Sequence, residues 1–199
     1  MKTQTILGVD TNPKTIKGNK LGITTGIVYL APSDESGVAN TCPNASKGCR
    51  AACLYTAGRG GMSNVQQARV NKTKNFFSNK SQWIAQLRQE IKKETKKASK
   101  KFNQFVVRLN GTSDIAWEET GIIDAEKETQ FYDYTKRSKR MLAFLDNKLP
   151  ENYHLTFSRS ENNDALCDII LQKGGNVAMV FKDHKKVVER GTYIFKGRK

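Results

Sequence analysis

The chain has 199 residues, enough for one ordinary domain with a real hydrophobic core. Hydrophobic residues make up 37% and aromatic residues 9%, which argues against overall disorder, and no apolar run approaches the roughly 20 residues needed to span a bilayer. Lys and Arg number 34 against 19 Asp and Glu, a formal net charge of +15 that favours an anionic partner and excludes electrostatic mimicry of DNA.

The N-terminal residues have no long apolar stretch and no small-residue cleavage site, so a soluble intracellular protein is expected. In a reducing compartment its four cysteines point to ligation rather than disulfides. The first forty residues are rich in Gly, Thr and Asn and yield one strand over 26–30, stopped by Ala31-Pro32. A helix is expected over 62–77, where Val65, Ala68, Arg69 and Thr73 lie about one turn apart. Ser81 reads as the N-cap of a second helix, in which Trp83, Ile84, Leu87 and Ile91 recur at helical spacing. The later turns of that helix, 92–101, are lysine-rich and read as a solvated face.

The second half has a clearer rhythm. Apolar, β-prone runs fall at 105–109, 130–134, 153–157 and 177–181, with helix-compatible segments at 122–128, 138–147 and 163–172 between them. Gly174-Gly175 ends the third of those helices, and 192–195 reads as a last edge strand. The expectation is one α/β domain over 1–199, built of βα repeats with a mainly parallel sheet, as in an incomplete or elaborated (β/α) barrel. In such sheets sites form at the carboxyl ends of the strands. Here those ends carry Asn110 and Asp114, Lys136, Arg159 and Glu161, and His184. The same residues also suit turns and helix caps.

The densest chemistry lies in the loop over 42–53, where Cys42, Cys49 and Cys53 stand in the pattern C-x6-C-x3-C. Three thiolates so close can converge on one cation, with Pro43 and Gly48 making the turns and Cys49 and Cys53 one helical turn apart. Thiolates suit Zn²⁺ or an iron–sulfur cluster, and spacing does not choose between them. Cys167, His154, His184 or a carboxylate compete for a fourth position, and Cys167 lies on an apolar helical stretch that suits core filling. The loop runs on into a basic glycine-rich turn containing Arg59, whose backbone N–H groups suit phosphate. Buried, inert cysteines at a packed turn are the plainer alternative.

Five ordered motifs resemble the bacteriophage gene-product-88-like family. They are Thr11-Asn-Pro-Lys-Thr-Ile-Lys-Gly18, the stretch from Cys42 to Gly60, Val107-Arg-Leu-Asn-Gly-Thr-Ser-Asp114, Phe131-Tyr-Asp-Tyr-Thr-Lys136 and Leu155-Thr-Phe-Ser-Arg-Ser-Glu161. The resemblance implies a phage or prophage origin, hence the host bacterial cytoplasm, and no defined activity. A three-cysteine loop after an early strand, followed by βα repeats, is also similar to radical S-adenosylmethionine proteins, whose cluster motif is tighter.

Two functional classes follow. The first is a monomeric, non-enzymatic, zinc-stabilised effector that binds and blocks a host defence machine, such as a CRISPR-associated RNA-guided nuclease. The second is a metalloenzyme acting on nucleic acid or nucleotides, with Asp114 or Glu161 as acid/base and Asn110, Lys136, Arg159 and Arg59 on phosphate. A basic nucleic-acid-binding protein with a structural metal is a third reading.

Overall fold

A computed structural model describes residues 4–181, so the expected strand over 192–195 and His184 lie outside the described residues. The chain opens with β1 (Leu7–Val9), α1 (Pro13–Asn19) and β2 (Ile23–Val28). After the cysteine loop come α2 (Lys47–Ala51), α3 (Ser63–Ser78) and α4 (Lys80–Ser99). The βα repeats then follow as β3 (Gln104–Arg108), α5 (Ile122–Ala125), β4 (Gln130–Thr135), α6 (Ser138–Leu145), β5 (Tyr153–Ser158), α7 (Asp164–Gln172) and β6 (Val177–Ala178).

The strands pair in sequence order from β1 to β6; β1 is antiparallel to β2, and every later pair is parallel. The expected α/β class with a mainly parallel sheet therefore holds. Sequential parallel order is the order in which β/α barrels are laid out, and among the described residues β1 and β6 are its two edges.

Period-2 alternation decides which face is covered. Phe105, Val107, Phe131, Tyr153, Leu155 and Phe157 are buried, while the intervening Val106, Arg108, Tyr132, Tyr134, His154 and Thr156 are half-buried or exposed. The buried set joins one core with Leu87 and Ile91 of α4, Met141 of α6 and Ile170 of α7. At the end of α7, Gly174 takes φ +82°, and the amides of Gly174 and Gly175 close onto the carbonyls of Leu171 and Ile170.

Several boundaries differ from the sequence reading: the strand expected over 177–181 is confined to Val177–Ala178, and the helix expected over 122–128 to Ile122–Ala125. The first parallel strand begins at Ile23, because Ile23 to Ile27 pair in register with Gln104 to Arg108. Helix α4 starts at Lys80, so Ser81 sits in its first turn and Asn79 flanks it without a side-chain cap. The edge strand β1 was not evident in the sequence. It holds because Glu90 of α4 accepts the amides of Ile6 and Leu7, and the Lys72 ammonium donates to the Ile6 carbonyl at 3.0 Å.

Trp83 stacks on Trp117 at 5.7 Å between ring centroids, with Phe76 edge-on to Trp83 at 5.0 Å, so α3, α4 and the segment after β3 share one aromatic cluster. Leu87, fully buried against this core, is a direct probe of the sheet–helix interface. Leu87→Ala is expected to cost about 2–5 kcal/mol in urea unfolding. Lys93→Ala on the solvated side of the same helix should stay within about 0.5 kcal/mol of the wild type.

Candidate functional site

The cysteine loop is fastened to the carboxyl ends of two different strands. At the β2–β3 side, Thr41 Oγ1 donates to the Ala31 carbonyl at 2.7 Å, and the Asp114 amide donates to the Thr41 carbonyl at 2.8 Å. The Cys42 thiol lies 3.6 Å from the Thr112 carbonyl oxygen, in a weak S–H···O contact. At the other side Glu161, which follows β5, receives the Ser46 hydroxyl and, at 2.8 Å, the Gly48 amide. Ser46 also caps α2 by accepting the Cys49 amide at 3.1 Å. A Cβ on Gly48 would collide with the Glu161 carboxylate, so glycine is what allows the tether. The Ser46 hydroxyl foremost, then Glu161's own backbone amide, the Gly48 amide and the Lys136 charge, hold the Glu161 carboxyl below the usual carboxylate range.

Beneath the loop lies a buried polar network. Arg140 makes a bidentate pair with Glu118 at 2.7 and 2.8 Å, donates to Asp114 at 2.8 Å and reaches the Tyr153 hydroxyl at 2.8 Å. Tyr153 donates in turn to Asp133 at 2.8 Å, and Asp133 also accepts the backbone and side-chain N–H groups of Asn110. Burial pushes the Asp133 carboxyl up to about 7, against the pull of its hydrogen bonds and of Arg108 and Arg140. Burial alone would lower Arg140, but Glu118, Tyr153 and Asp114 hold its guanidinium above its ordinary value.

The residues singled out from sequence divide accordingly. Asp114 is buried, accepting Thr135 Oγ1, the Lys136 amide and Arg140. Asn110 is also buried, its carbonyl oxygen accepting Ser113, Ile115 and the Trp117 indole. Both are occupied in holding the strand ends together. Glu161 is exposed beside Lys136, Arg59 is exposed on the turn over Gly58–Gly61, and Arg159 pairs with Asp164 at 2.7 Å.

All three cysteines are half-buried, and Cys49 sits on α2. Helix α2 ends at Ala51 and Cys53 has extended backbone, so Cys49 and Cys53 are not successive turns of one helix, as spacing had suggested. Among the described residues no group of three His, Cys, Asp or Glu is gathered to hold a metal ion. Burial raises the Cys42 thiol, with the charges of Asp114 and Cys53 adding to it. Neither candidate fourth ligand within the described residues contacts this loop. Cys167 is buried on α7 with its thiol on Asn163, and His154 is exposed on β5 beside Asn176 and Phe144.

Sequence reasoning placed Arg69 in a helical stripe without assigning it a role, and did not find the Asp133–Arg140 network. Arg69 holds a buried position on α3 in the stripe Arg69–Thr73–Phe76, where its i, i+4, i+7 spacing would have marked it as an unusual core cation. Its guanidinium carbon lies 5.0 Å from the Tyr29 ring centroid and 5.6 Å from that of Tyr55.

A mainly parallel α/β sheet with a cysteine loop tied across its carboxyl rim is the class that these observations define. The chain belongs to the Gene product 88 family, whose pattern matches residues 4–197. No curated protein and no solved structure gives a significant match, and the likeness to radical S-adenosylmethionine proteins finds no support among them. No helix among the described residues is long and apolar enough to cross a membrane.

Two outcomes are expected. Glu161→Ala should speed proteolytic cleavage within residues 42–53 with little change in melting temperature, because it frees only the outer end of the loop. Asp133 governs a pH dependence. Its carboxyl is raised on folding, so its contribution is complete below the unfolded value of about 4 and is lost as pH rises through about 7. Relative to Asp133→Asn, the wild type should therefore lose melting temperature steadily between about pH 4 and 7 and level off above.

Proposed function

We propose that this chain is a phage-encoded metalloprotein of the host bacterial cytoplasm. In this reading Cys42, Cys49 and Cys53 hold Zn²⁺ or an iron–sulfur cluster that keeps one coordination position for a ligand, and the surrounding rim acts on a phosphate-bearing substrate, a nucleotide or nucleic acid. The observation that carries it is the double fastening of the cysteine loop, at Thr41–Asp114 and at Ser46/Gly48–Glu161, over the carboxyl ends of parallel strands. Cys167 and His154 have their partners at Asn163 and Asn176, away from the loop, so neither is the fourth ligand in this reading. Lys136 and Arg59 supply rim cations for phosphate, in keeping with the net charge of +15. Cys49 would swing from its place on α2 to complete the ligand set.

The test is elemental analysis with an absorption spectrum after anaerobic purification. Zinc near one per chain without visible absorbance, or iron with sulfide and a brown colour, supports the reading; neither metal above background refutes it. Cys49→Ser should lower metal content and melting temperature together, and an unchanged stoichiometry would remove Cys49 from the ligand set.

A second reading has its own observation. Lys92, Lys93, Lys96, Lys97 and Lys100 are exposed along α4, a basic ridge that fits an acidic protein face. On that basis the chain acts as a monomeric inhibitor of a CRISPR-associated nuclease, with the metal serving stability. Reversing the charge of these lysines should then abolish salt-sensitive co-purification with the nuclease and restore its cleavage. If excess wild-type protein leaves cleavage unaffected, that target class is wrong.

A further inference from the structure

Arg69 is 9% exposed, and its Nη1 is buried with no hydrogen-bond partner among the described residues. None of the ion pairs among those residues includes it. A buried guanidinium in this condition is costly, because the desolvation of its charge is not offset by a counter-charge. Arg140 in the same molecule shows the usual solution, with two carboxylates and a tyrosine around it. Arg69 has only the rings of Tyr29 and Tyr55, whose faces offset part of the cost. Arginine stays protonated even so, and its N–H groups remain available to an acceptor.

The place it reaches is made of backbone. A long side chain on a helix leans toward the N-terminus, and a Cβ placed on Gly60 would stand 3.4 Å from Nη1. The guanidinium therefore lies beside the turn over Gly58–Gly61, which leads directly into α3. Helix α3 runs for 16 residues from Ser63, and its N-cap residue, Met62, makes no side-chain hydrogen bond. Its first turn holds no acidic residue to meet the positive end of the helix dipole. Gly58, Arg59 and Gly61 are exposed, so solvent reaches the outer side of the turn that lies against Nη1, and Arg59 adds a second guanidinium there.

We infer that Arg69, the glycine turn over Gly58–Gly61 and the N-terminus of α3 form a binding site for a phosphate group. A buried guanidinium and an uncapped helix end are two positive centres, and a phosphate dianion answers both. A carboxylate brings one charge and two oxygens. Phosphate can accept from the Arg69 N–H groups with one pair of oxygens and face the helix end with another. The exposed turn shifts to admit it, and three of its four residues are glycines, with no side chain to hinder the approach. This rests on the phosphate half of the reading above and not on the metal. It gives Arg69 the central contact and leaves Arg59 at the mouth.

The test uses the protein as purified, with metal content measured in parallel. Melting and calorimetric binding are followed with inorganic phosphate, AMP and acetate at constant ionic strength, for the wild type, Arg69→Met and Lys136→Ala. Phosphate and AMP should stabilise the wild type and acetate should not. Arg69→Met should weaken phosphate binding about tenfold or more, the scale of a lost charge-assisted hydrogen bond. Without phosphate the same variant should melt at or above the wild type, because it removes an uncompensated buried charge. AMP binding tighter than inorganic phosphate assigns the site to a nucleotide; equal binding assigns it to free phosphate. Phosphate that stabilises Arg69→Met as much as the wild type overturns the site, as does acetate that matches phosphate. An equal fall in melting temperature with and without phosphate makes Arg69 a packing residue and overturns it too. If Lys136→Ala abolishes binding and Arg69→Met does not, the rim reading stands and this inference falls. A wild type that ignores both phosphate and AMP overturns the inference whatever its metal content. An Arg69-dependent response in a metal-free protein supports the site and removes only the cysteine centre.

Discussion

The Asp114 carboxylate accepts the Thr135 hydroxyl, the Lys136 amide and the Arg140 guanidinium, while its own amide carries the Thr41 carbonyl. One residue therefore joins the end of β3 to the end of β4 and to α6 through its side chain, and to the cysteine loop through its backbone amide. Parallel strands end in backbone groups that the sheet itself does not satisfy, and buried polar groups left unpaired are costly. Arg140 makes the arrangement tolerable by neutralising Asp114 and Glu118 together. Losing either partner would strand a charge under the rim, and the loop above would lose its inner anchor.

The same economy explains why polar residues at strand ends are ambiguous signals. Asn110 looked like a pocket residue from its place after a strand. In the fold its amide group serves Ser113, Ile115, Trp117 and Asp133, which locks the aromatic cluster to the sheet. Glu161 is the opposite case: exposed, and engaged mainly with Ser46 and Gly48, it shapes the loop from outside.

What the sequence disclosed tracks how local each signal is. Strands β3, β4 and β5 were legible because alternating burial writes itself into Phe105/Val107, Phe131/Asp133 and Tyr153/Leu155/Phe157. Helix α4 was legible because Trp83, Leu87 and Ile91 share one face. Strand β1 was not, since three residues held by Glu90, more than eighty positions away, carry no periodicity of their own. The Gene product 88 family could be read from five ordered motifs, and the match over residues 4–197 bears it out. The geometry of the cysteine loop was only half legible, because spacing shows proximity along the chain and not where α2 stops. The unpaired nitrogen of Arg69 was invisible because a helical stripe records which positions are buried, not what a buried charge lacks.

The Gly48–Glu161 bond joins residues 113 positions apart. Loop closure over such a span comes late in folding, after the intervening βα units have brought the end of β5 into place. The three loop cysteines leave the ribosome within the first 53 residues, yet the cradle that orients them needs residues made long afterwards. Formation of the native loop geometry thus becomes a post-translational event, and until then the three thiols depend on the cell's own reducing capacity.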